Sequence, residues 1–116
     1  MIDGSRIPRS QWVTALESLV RAGMRDHDTP PLSATSVRYK RESPGRERWQ
    51  TPRDTYLSGE GDCEDLSIYF ARDLRLRGIP ARVVIKRTHS GGLHAIVAAH
   101  VHGRVVLLDP SKARGM

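Results

Sequence analysis

At 116 residues the chain has room for one folded core and is expected to form a single domain over residues 1–116. Apolar residues make up 38% and aromatics only 5%, so the core must rest on Val, Leu, Ile and Ala. The formal net charge is +6, and no run approaches the roughly 20 apolar residues of a membrane span, which excludes a membrane partner from the expectation.

The N-terminal MIDGSRIPRSQW has neither an apolar core nor a small-residue cleavage site, so it does not read as a signal peptide. A cytoplasmic protein is expected, or a virion component if the gene belongs to a phage. Residues 10–23 read as a helix within an N-terminal section 1–25. Ser10 is positioned to cap it, Trp12, Leu16, Leu19, Val20 and Gly23 recur at helical spacing, and the helix is expected to end near Gly23.

Residues 26–53 are polar, basic and broken by Thr29-Pro30-Pro31 and Ser43-Pro44-Gly45, which predicts a long loop or arm with a short strand near Ser36–Lys40. A lid over Cys63 is one reading of its length. Arg38, Lys40, Arg41, Arg46, Arg48 and Arg53 concentrate positive charge here. No nucleic-acid motif accompanies them and no aromatics interleave as a stacking platform, so nucleic acid is not expected as the primary partner.

The remainder, 54–116, is expected to be the chemical core. Thr51-Pro52 opens a short helix over 52–58. Asp62 sits at an N-cap position with Asp65 three residues later, starting a helix whose face is Leu66, Tyr69, Phe70 and Leu74, and Gly78-Ile79-Pro80 stops it near Arg77. Three strands follow, at 81–87, 93–101 and 104–108, the last two joined by a His102-Gly103 turn. The fold class is therefore α+β, helices ahead of an antiparallel meander.

Cys63 is the only cysteine, which rules out an internal disulfide. Its place in a first helical turn favours a thiolate through the helix dipole, while Glu64 and Asp65 oppose it. A buried structural cysteine is the alternative. If His102 and Gly103 form a two-residue turn, Val101 faces Arg104 and the register carries Asp109 opposite Ile96, on the same face as His94 and diagonal to it. An imidazole with a carboxylate to orient it is the base of a catalytic triad. His89, His100 and His102 supply further imidazoles, but no CxxC or HxxxH spacing exists, so neither a metal site nor a cofactor is expected.

The run Trp49-Gln50-Thr51-Pro52, Thr55, Gly59 and Gly61-Asp62-Cys63-Glu64-Asp65 resembles the bacterial transglutaminase-like cysteine proteinases. Leu93-His94-Ala95-Ile96-Val97 and Val106-Leu107-Leu108-Asp109-Pro110 resemble that family's histidine and aspartate strands. The resemblance implies a papain/transglutaminase-like core, with the cysteine at a helix N-terminus packed on a small antiparallel sheet. It also implies a triad of Cys63 as nucleophile, His94 as general base then acid, and Asp109 as orienter. Gln50 and Trp49 are the candidate side-chain donors of an oxyanion hole, with a slight lean to Gln50.

The expected function is thiol-dependent acyl transfer on a peptide or protein amide, with hydrolysis by a cysteine protease or amidase preferred over transamidation. The alternative is a structural or assembly protein on the same fold, possibly virion-associated in a phage, whose basic surface docks into a larger complex.

Overall fold

The computed structural model describes residues 2–3, 8–41 and 48–116. In chain order these form β1 (Ile2–Asp3), a 3₁₀ turn at Arg9–Gln11, α1 (Trp12–Arg25), a 3₁₀ turn at Leu32–Ala34, β2 (Arg38–Tyr39), β3 (Arg48–Trp49), α2 (Pro52–Ser58) and β4 (Glu60–Gly61). Then come α3 (Cys63–Leu76), β5 (Ala81–Arg87), β6 (Leu93–Val101), β7 (Arg104–Leu108) and α4 (Pro110–Ala113).

The local signals that start α2 and α3 act as their residue types dictate. The Thr51 hydroxyl accepts from the Asp54 N–H at 3.2 Å, and Pro52 occupies the first turn of α2. At α3 the capping box is reciprocal. The Asp65 N–H donates to Asp62 Oδ1 at 3.0 Å, and the Asp62 N–H donates to Asp65 Oδ2 at 3.2 Å.

The first helix departs from expectation at both ends. Ser10 lies inside the 3₁₀ turn, Gln11 occupies the cap position without a side-chain bond, and α1 continues two residues past Gly23. Gly23 is a packing residue. A Cβ there would lie 2.4 Å from Pro52 Cγ and 3.0 Å from Arg72 Cγ, so glycine lets α1 approach α2 and α3 closely. Gly23→Ala is expected to destabilise the domain by about 1–3 kcal/mol through overpacking, read as a lower urea midpoint with an unchanged slope.

The sheet follows the expected meander: β5, β6 and β7 are antiparallel in that order. His102 and Gly103 both take positive φ, 51° and 74°, so the two-residue turn forms and Val101 pairs with Arg104. Val97, Ala95 and Ala99 of β6 with Ala81 and Val83 of β5 make the inner face. Leu16, Leu19 and Val20 of α1 and Ile68, Ala71 and Leu74 of α3 cover it.

Two pairings were not foreseen. β1 pairs antiparallel with β3, and β2 pairs parallel with β4. Both ladders are two residues long, too short to leave an alternating pattern. The described part of 26–53 is bound tightly to α3. Buried Arg72 donates to the carbonyls of Gly23, Asp26, Thr29 and Pro30, Tyr69 Oη donates to the Pro30 carbonyl, and Asp73 Oδ2 accepts from the Leu32 N–H at 2.7 Å. Arg114 holds Leu32 and Thr35 by their carbonyls from the other side. Ser43-Pro44-Gly45 and Arg46 lie outside the described residues.

Candidate active site

Three elements converge on the site. The N-terminus of α3 presents Cys63, the start of β6 presents His94, and the turn from β7 into α4 presents Asp109. The hairpin register brings the last two together as the diagonal argument requires. His94 Nε2 and Asp109 Oδ2 are 2.8 Å apart, with side-chain exposures of 11% and 18%. Asp109 Oδ1 accepts from the Ser111 N–H at 3.1 Å and so caps α4 as well. A carboxylate held from both sides fixes the proton on Nε2 and leaves Nδ1 of His94 as the nitrogen able to accept.

The Cys63 sulfur lies against the Ala95 N–H, one residue from His94. Its thiol donates to Glu64 Oε2 at 3.1 Å, and no hydrogen bond joins it to His94. Burial pushes the thiol well above its usual range, the Glu64 carboxylate pushes it further, and the Ala95 N–H only partly opposes them. The dipole argument for a resting thiolate is outweighed here: at neutral pH Cys63 is a thiol. Its alkylation by iodoacetamide should therefore rise about tenfold per pH unit past the pKa of about 8.5 where a free cysteine levels off. Glu64→Gln removes a charge and an acceptor that both raise the pKa, so it should speed labelling at pH 8 several-fold. A plateau below pH 8.5 in the unaltered chain would contradict this ordering.

The two oxyanion-hole candidates are both placed near the start of α3 but differ in availability. Gln50 is employed structurally. Its backbone N–H donates to Asp65 Oδ1 at 2.7 Å, and its side-chain amide donates to Asp65 Oδ2 at 3.2 Å and to the Glu60 carbonyl at 3.4 Å. Trp49 is fully buried, edge-on to Trp12 with ring centroids 5.3 Å apart, and its Nε1 has no acceptor among the described residues.

Asp65, buried and accepting from Gln50 twice and from the Asp62 N–H, is the joint that fastens the Trp49-Gln50 segment to the Cys63 helix. Asp65→Ala should cost about 2–4 kcal/mol, because several charge-assisted bonds are lost inside the fold. Its thermal midpoint should fall accordingly.

Tyr39 escaped the sequence reading. The parallel β2–β4 pairing sets it beside Gly61, next to Asp62, Cys63 and Glu64. Burial raises its pKa, with the Asp62 and Glu64 carboxylates adding to the effect, so it keeps its proton and remains an O–H donor at this end of α3. No sequence signal marks it, since it stands 24 positions before Cys63 on a two-residue strand. Among the described residues no three His, Cys, Asp or Glu side chains gather as a metal site.

A family model of the transglutaminase-like superfamily matches residues 32–110, which carry Cys63, His94 and Asp109. The chain belongs to the transglutaminase-like superfamily. No curated protein and no solved structure matches it. The membership agrees with the observed α+β architecture, a cysteine-bearing helix against a small antiparallel sheet. No helix among the described residues is long and apolar enough to cross a membrane.

Proposed function

We propose that the chain is a thiol-dependent acyl-transfer enzyme acting on a peptide or protein amide, in its simplest form a cysteine protease or amidase of bacterial or phage origin working in the cytoplasm. The observation that carries this reading is the 2.8 Å pair between His94 Nε2 and Asp109 Oδ2, built beside the first turn of a helix that begins with Cys63. Burying a histidine and a carboxylate together costs desolvation, and this pair is not needed to close the sheet.

Because Cys63 is protonated at rest, the reaction starts from the neutral thiol. The sulfur attacks the amide carbonyl as its proton passes to His94 Nδ1, and Asp109 stabilises the imidazolium. The Cys63 N–H, with Tyr39, Trp49 or Gln50 as side-chain donor, faces the developing oxyanion. Collapse breaks the C–N bond, and the amine leaves with the proton from His94. Water then gives its proton to His94 and attacks the thioester, releasing the acid and restoring the thiol. Substrate entry has to part Cys63 from Glu64 before the first step.

Turnover of p-nitrophenyl acetate, followed by absorbance and by intact mass, tests the reading. Repeated turnover through a Cys63 acetyl intermediate that depends on His94 supports it. Acetylation no faster than that of a free thiol, and indifferent to His94→Ala, overturns it.

One feature favours the assembly reading. The edge strand β7 exposes Val105 and Leu107 on one face of the sheet at 54% and 62%, an apolar patch of the kind a partner covers. A stable complex together with an inert thiol would establish that reading instead.

A further inference from the structure

A cavity of about 450 Å³ opens against His94 and Asp109, and its walls are basic. Lys86 stands directly opposite His94 in the β5–β6 ladder, so the two share a sheet face and lie side by side. Arg87 follows it, and Lys112 projects from α4 just beyond Asp109. The cavity's one side-chain carboxylate is Asp109, already engaged by His94 and by the Ser111 N–H. Lys86, Arg87 and Lys112 are exposed and have no ion-pair partner among the described residues. Lys86, Arg87 and Lys112 thus border one cavity beside His94, and an anion brought into it would relieve their mutual repulsion.

We infer that this cavity is a specificity subsite for acidic peptides, in which Lys86, Arg87 and Lys112 receive a Glu or Asp side chain next to the reacting amide. The inference rests on the acyl-transfer reading above and extends it to a substrate class. A peptide is favoured over nucleic acid for two reasons. No Phe, Tyr or Trp lines the cavity to stack a base. The cavity is also lined by His94, whose neighbour Ala95 lies against the Cys63 sulfur, so an occupant sits near the amide that His94 serves.

The test uses three peptidyl vinyl sulfones on the full chain, alike except for Glu, Ala or Lys on either side of the electrophile, with Cys63 labelling followed by intact mass. The Glu probe should label at least about fivefold faster than the Ala probe, the sum of a few exposed ion pairs, and the Lys probe slower than both. Raising salt from low to high should erase the difference. The double variant Lys86→Glu/Lys112→Glu should invert the order, and Lys112→Gln, a milder change at an exposed position, should shrink it. Equal labelling by all three probes that still falls in His94→Ala would overturn the subsite while leaving the acyl-transfer reading intact. Labelling by all three that ignores His94→Ala would sink the reading and the subsite together. A short single-stranded oligonucleotide that blocks all three probes equally would also overturn the proposal, in favour of nucleic acid.

Discussion

Replacing His94 with Ala is expected to lower turnover of p-nitrophenyl acetate by about 10²–10⁴-fold, the usual contribution of a positioned general base. Cys63 sits at rest as a thiol hydrogen-bonded to Glu64, and without His94 the site loses the group that takes its proton and passes it on to the leaving amine. Asp109→Asn should cost about 10²-fold or more by a subtler route. Asp109 faces two donors, the Ser111 N–H at Oδ1 and His94 at Oδ2. An Asn side chain has one acceptor oxygen for these two donors. Either it keeps the α4 cap and turns its NH₂ toward His94, forcing the imidazole into the wrong tautomer, or it serves His94 and loses the cap. The two outcomes separate experimentally. The first lowers kcat with an unchanged melting temperature, and the second lowers the melting temperature with a much smaller loss of kcat. Wild-type kcat in both variants would remove His94 and Asp109 from the chemistry.

The largest effect on stability is expected at Arg72. Its guanidinium is 2% exposed and donates to four backbone carbonyls, of Gly23, Asp26, Thr29 and Pro30, and to Asp73 Oδ1 at 2.9 Å. Arg72→Met keeps the volume but leaves those carbonyls and the Asp73 carboxylate buried without their donor. Removing one partner of a buried charged network costs about 3–5 kcal/mol, a large share of the roughly 5–15 kcal/mol that holds a domain together. Equilibrium urea unfolding should show the midpoint collapse, with the thermal midpoint down by about 10 °C or more. Arg82→Met on the exposed outer side of β5 should stay within about 0.5 kcal/mol, which shows that the loss comes from the network and not from charge in general. A mild Arg72→Met would mean that residues 26–32 are held by the Leu32 and Tyr69 contacts alone.

The meander and its register were readable because their signals are local. Val and Ile mark β5, and the His102-Gly103 pair takes positive φ, which settles which residues of β6 and β7 face each other. That one turn is what places Asp109 diagonal to His94 on one sheet face. The start of α3 was equally legible, since a capping box needs only residues three apart. The first helix runs two residues past Gly23, which lies on its buried face as its spacing predicts, because glycine serves both as a helix stop and as a point of close approach. The two uses differ only in whether Pro52 and Arg72 lie against it.

The sequence by itself thus determined the longer helices, the three-stranded meander, the cysteine's place at a helix N-terminus and the order of a Cys–His–Asp set. These depend on backbone preferences and hydrogen bonds within a few residues. Only the tertiary structure decided what surrounds them. Glu64 accepts the thiol's hydrogen bond, Tyr39 is set beside Gly61 by a two-residue parallel ladder, Gln50 is engaged by Asp65, and Lys86, Arg87 and Lys112 line a cavity beside His94. Those are consequences of burial and of contacts between distant parts of the chain. The energy of a charge depends on the sum of its neighbours in space, which one-dimensional spacing does not contain.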